Sequence, residues 1–167
     1  MRLAETRYAY LSHRQREATP EALARRLIAE VRAIHRVDTV AVLWCQPRSI
    51  YATIEGADCW DEKRDARTYA GPHPVICHPP CGPWGSFAHW SKHHRREDAL
   101  IGLGMVQAWG GVLEHPQSSR LWRQPEAAAW PSRRERIDQS DYGFPSRKPT
   151  IMYWVDSPWW GAATIGR

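Results

Sequence analysis

The sequence predicts an α/β domain built on a mainly parallel sheet. Short, nearly continuous apolar runs of strand length recur along the chain, and helix-length segments with Gly and Pro punctuation alternate with them. With 167 residues, the chain reads as one compact domain spanning 1–167, long enough to bury about two thirds of its unfolded surface.

The clearest helix is predicted over 19–34. Thr19 is its N-cap and Pro20 its first helical residue, and Leu23, Leu27, Ile28, Val31 and Ile34 form one apolar stripe. Asp38 to Trp44 reads as a buried strand, followed by a turn over Gln46 to Ser49. Tyr51 to Asp58 forms a short helix or strand, and the charged run from Asp61 to Arg67 is expected on the surface. Pro74 to Cys77 supplies the next strand. Glu97 to Trp109 follows as a helix weakened by Gly102 and Gly104 and ended by Gly110-Gly111. Val112-Leu113 opens a strand that ends in Glu114-His115-Pro116, and Thr150 to Val155 is the last clear strand. Residues 117 to 149, rich in Arg, Pro and Ser, read mostly as loop.

The composition, 43% hydrophobic and 25% charged, is that of a globular protein, and no apolar run reaches the ~20 residues a membrane span needs. The first residues lack an apolar leader core, which points to the cytoplasm and to reduced thiols at Cys45, Cys59, Cys77 and Cys81. Cys77, His78 and Cys81 lie close together, but their spacing lacks the second paired knuckle of a zinc site, so no metal is expected. A net charge of +5 favours an acidic partner such as nucleic acid. Among ten tryptophans, Trp84 and Trp90, near Cys81 in sequence, are the candidates for stacking on a base.

Polar groups suited to one reaction stand at three strand ends. Cys81 follows Pro79-Pro80, which stop the strand and send the chain away from the sheet edge with fixed φ. Glu114 ends a second strand, and Arg147 and Lys148 precede a third. A thiolate can add to C6 of a pyrimidine and make C5 a carbon nucleophile if an acid at N3 takes up the developing negative charge. Glu114 has the chemistry for that acid, and the basic pair for holding base or phosphate. Each element alone has a commoner reading as a packed thiol, a cap or a surface pair; it is their combination that points to catalysis.

In this respect the chain resembles the DNA cytosine-C5 methyltransferase family. Pro79-Pro80-Cys81, with Gly82 and Ser86 behind it, is similar to the family's catalytic Pro-Pro-Cys loop. Glu114-His115-Pro116 stands in the place of its Glu-Asn-Val element, and Tyr142 to Thr150 resembles its Tyr-Gly-x-Pro-Gln-x-Arg-x-Arg strand, in the same order. Glu17 to Ala24 resembles the family's last motif, a turn and helix beside the S-adenosylmethionine pocket, placed first here as in a circular permutation.

The resemblance implies a Rossmann-like methyltransferase-type sheet with flanking helices, reduced in size. It implies catalysis by Cys81, Glu114, Arg147 and Lys148, and base contacts from Pro80, Trp84, Ser86, His115 and Thr150. Trp84 and the loop from His89 to Arg96 would close over the extruded base. For S-adenosylmethionine it implies Thr19, Pro20, Trp44, Ser49 and Pro79, with Asp58 or Asp61 beside Trp60 holding ribose and adenine and Asp65 at the adenine amine.

Two departures qualify it. Trp44 to Tyr51 contains none of the glycines that the family places after its first strand, which shortens or alters the cofactor pocket. Only 12 residues follow Val155, so a target-recognition domain is not expected. The expected partners are therefore DNA, as a single strand or a flipped base, or a pyrimidine nucleotide, with a homodimer mate or another protein supplying target recognition and no membrane involved. Three functions follow: cytosine-C5 methylation; pyrimidine hypermodification with another one-carbon or group donor; and nucleic-acid binding by a catalytically inactive module.

Overall fold

A computed structural model describes residues 19–86, 88–92 and 95–157. Six strands form one sheet in the order β2-β1-β3-β4-β6-β5. They are β1 (Val40–Leu43), β2 (Ala57–Trp60), β3 (Val75–Cys77), β4 (Gly111–Pro116), β5 (Arg133–Asp138) and β6 (Pro149–Val155). The first four run parallel, whereas β6 is antiparallel to both β4 and β5. The α/β class and the mainly parallel sheet hold, with three of the five neighbouring pairs parallel, and the reversed strand β6 makes the sheet mixed. The connection from β5 to β6 is a short return, which imposes antiparallel pairing, whereas a parallel pair needs a crossover.

Among the described residues, two α-helices flank the sheet, one on each face. Helix α1 (Pro20–His35) starts as expected, with the Thr19 hydroxyl accepting from the Ala22 amide at 3.0 Å. Its residues Leu23, Leu27, Ile28 and Val31 pack on Val40, Val42, Ile76, Val112, Met152 and Trp154. Helix α2 (Glu97–Trp109) covers the other face, where Ala99, Leu103 and Val106 meet Leu43, Val75, Cys77, Leu113 and Tyr153. Alternation along each strand thus feeds two cores, and strand β6 is buried on both sides. A Cβ on Gly102 would stand 3.0 Å from Leu113 and 3.4 Å from Pro79, so this glycine lets α2 lie close over the Pro-Pro turn.

The reading of 117–149 as loop is also corrected. That stretch contains strand β5 and 3₁₀ turns at Arg120–Arg123, Pro125–Ala128 and Gln139–Tyr142. Tyr51 to Asp58 contributes to both candidate forms: a 3₁₀ turn spans Ile50–Thr53 and β2 begins at Ala57. No helix among the described residues is long and apolar enough to cross a membrane.

Candidate active site

Strand β1 pairs with β2 on one side and β3 on the other, so the chain leaving β1 and the chain leaving β3 diverge. Such a switch point opens a crevice at the carboxyl ends of the strands, the usual ligand position in open α/β sheets. A cavity of about 490 Å³ lies there, within the range of small-molecule sites. Its walls come from the start of α1, from the segment Trp44–Tyr51 after β1, from His78–Cys81 after β3, from Glu114 on β4, and from Gln139, Phe144, Lys148 and Met152.

Cys81 and Glu114 therefore share one cavity. The β3–β4 register sets Cys77 beside Leu113, and one residue further His78 meets Glu114. The His78 Nδ1 lies 2.8 Å from Glu114 Oε2, and its Nε2 lies 3.0 Å from the hydroxyl of Tyr51. Gln139 Nε2 donates to Glu114 Oε1 at 2.5 Å, and Lys148 Nζ is 3.7 Å from the same oxygen. Burial would raise the carboxyl pKa. The His78 hydrogen bond and the Lys148 charge outweigh that and hold it at about 2, so Glu114 is a carboxylate. A carboxylate only accepts, so His78 carries a proton on Nδ1. Burial raises the Tyr51 pKa, with the nearby Glu114 charge adding to it, so its hydroxyl keeps its proton.

Several expected residues stand on this cavity: Pro20, Trp44, Ser49, Pro79, Pro80, Cys81, Glu114 and Lys148. Thr19 caps the helix whose first residues form one wall. In the segment after β1, the missing glycines are replaced by residues in glycine's conformation: Trp44 and Arg48 have φ of 57° and 64°.

Other expected residues lie elsewhere. Trp84 is packed in the α2 core, with its indole donating to the Arg96 carbonyl at 3.0 Å, and Ser86 is exposed on a turn. His115 points to the opposite face from Glu114, edge-on to Trp122, and burial lowers its pKa to about 4. Thr150 is buried with its hydroxyl donating to the Lys148 carbonyl, and Arg147 pairs with Asp138 at 3.0 Å in solvent. In the His89 to Arg96 loop, Trp90 is 75% exposed, whereas His93 and His94 lie outside the described residues, as do Glu17 and Ala18.

Asp58, Trp60 and Asp65 also stand off the cavity. Asp58 accepts from the Trp60 indole at 2.9 Å and pairs with Arg64, whose guanidinium sits 4.1 Å over the Trp60 ring; Asp65 pairs with Arg67. An adenosine would need that aromatic face and those carboxylates free, so the three residues do not fit S-adenosylmethionine. Cys77 is wholly buried in the α2 core, and both His78 nitrogens are engaged, so neither is presented with Cys81 for a metal.

His78, Gln139 and Tyr51 are absent from the expected site. His78 had a signal in its adjacency to Pro79-Pro80-Cys81 at a strand end, whereas Gln139 reaches the cavity through the unexpected strand β5. No protein-family model, curated protein or solved structure matches the chain.

Proposed function

We propose that the protein modifies C5 of a pyrimidine base, with cytosine in DNA as the leading substrate and Cys81 as the nucleophile. The observation that carries this reading is the meeting of Cys81, Glu114 and Lys148 on one cavity at the switch point of the sheet. The thiol of Cys81 loses its proton to solvent and the thiolate adds to C6. The C5=C6 electron pair shifts toward N3, which takes up a proton, and C5 becomes the nucleophile toward a one-carbon electrophile. Loss of the C5 hydrogen as a proton then expels the thiolate. Glu114 holds N3, and Lys148 balances its charge. Helix α1 supports the same reading, because Pro20, Leu23, Ala24 and Leu27 wall the cavity as the resemblance expects.

The addition step can be tested without knowing the donor, because reversible attack at C6 exchanges the C5 hydrogen with solvent. Incubation with cytosine-containing single- and double-stranded DNA in D₂O should label C5, and Cys81→Ser should abolish the labelling. Absence of labelling with wild-type protein on either DNA would overturn the proposal.

A second reading, another one-carbon or group donor, is favoured by the engagement of Asp58, Trp60 and Asp65 with arginines and with each other. Calorimetric titration should then show no tight S-adenosylmethionine binding. Tight binding followed by methyl transfer to C5 would restore the methyltransferase reading.

A further inference from the structure

The environment of Glu114 raises a question about its proton. Its pKa of about 2 leaves the carboxyl ionised at neutral pH, so it has no proton of its own to deliver to N3. Gln139 is not an acid, Lys148 is 3.7 Å away without a hydrogen bond, and the buried hydroxyl of Tyr51 is held protonated. The remaining donor in contact is His78, whose Nδ1 lies 2.8 Å from Oε2.

We propose that His78 is the proton reservoir of this site, acting through Glu114 as a positioning residue for proton delivery to the base; the inference rests on the pyrimidine-C5 reading. His78 enters as imidazolium. As the Cys81 thiolate bonds to C6, the proton on His78 Nδ1 passes across Glu114, which starts and ends as a carboxylate, to the electron pair displaced toward N3. The imidazole is left neutral, with its remaining proton on Nε2. One S–C bond and one N–H bond form, one N–H bond of His78 breaks, and the charge of the imidazolium offsets that of the thiolate.

Tyr51 holds the ring in both states of His78. Its hydroxyl oxygen, 3.0 Å from Nε2, accepts from the Nε2–H that the imidazolium and the neutral ring left by loss of the Nδ1 proton both carry. Glu114 on β4 and Tyr51 in the 3₁₀ turn contact the ring directly. Lys148 faces Glu114, Cys45 lies near Tyr51, and Cys81 and Arg48 stand on the same cavity wall.

The test is the pH dependence of C5 hydrogen exchange in the full chain. Wild-type protein should show a bell-shaped profile whose alkaline decline requires the proton held at His78. His78→Asn keeps a donor near the Nδ1 position but cannot give up a proton. Its rate should fall about 100-fold or more, and the alkaline decline should disappear. Added imidazole should restore part of the rate in His78→Gly.

A His78→Asn variant with the wild-type rate and pH profile overturns the relay while the addition chemistry stands. A slower variant that retains the alkaline decline shows a merely structural role and overturns it too. Absence of exchange in the wild type overturns the pyrimidine reading and the relay with it.

Discussion

Glu114→Gln should lower C5 hydrogen exchange by about two to three orders of magnitude and also destabilise the fold. Glu114 accepts from His78 on one oxygen and from Gln139 on the other, with Lys148 nearby. A glutamine presents one oxygen and one NH₂ group, so an NH₂ facing His78 sets a donor against a donor, and one facing Gln139 forces that amide to turn over. An unsatisfied buried donor costs about 1–3 kcal/mol. The loss should itself depend on pH. Glu114 is depressed from an ordinary value of 4.5 to about 2, so its stabilisation is fully present above the unfolded value and is lost as pH falls toward 2. Between pH 7 and pH 3, wild-type protein should lose on the order of 2 kcal/mol that the variant does not have to lose. Urea unfolding at the two pH values measures the gap. A gap of constant size would mean that Glu114 does not titrate as a paired carboxylate.

The largest structural effect is expected from Gly111→Ala. Gly111 has a φ of 112°, and a Cβ there would stand 2.0 Å from the carbonyl oxygen of Val75, its register partner on β3. The obstacle is backbone inside the sheet, so no side-chain rotation relieves it. Both the φ and the clash oppose the alanine, and a loss of about 4 kcal/mol or more is expected, a large fraction of the ~5–15 kcal/mol that holds a typical domain. The denaturation midpoint should fall accordingly. A shift equivalent to less than about 1 kcal/mol would show that β3 and β4 do not approach as described. Because the same pairing brings His78 to Glu114, a variant that does fold should still show impaired exchange.

What the sequence revealed and what it hid follow a physical division. Helix α1 was legible because Thr19, Pro20 and the Leu23–Ile34 stripe are local signals, and β1, β3 and β6 because they are buried on both faces and read as apolar runs. Strand β5 was not, since Arg133-Arg134-Glu135-Arg136 carries no apolar alternation. It is held by pairing with β6, by Arg26 and Glu30 of α1 reaching Glu135 and Arg133, and by Arg133 lying 4.6 Å over the Trp154 ring. Cys81 and Glu114 were legible as polar residues at strand ends. The bonds from His78 and Gln139 to Glu114 were not, because they depend on cross-strand register and on an edge strand without a sequence signature. The closeness of Asp58 to Trp60 is legible in the sequence, but Arg64, six residues after Asp58, decides what the two face.

The arginines of β5 also bear on how far the sheet can grow. An edge strand carries backbone groups able to template another chain. Here the edge residues Arg133, Arg134 and Arg136 are exposed, and the strand at the other edge, β2, is only four residues long. A second copy laid against β5 in parallel register would set Arg133, Arg134 and Arg136 against their own counterparts, so that mode of edge-to-edge growth is opposed by charge.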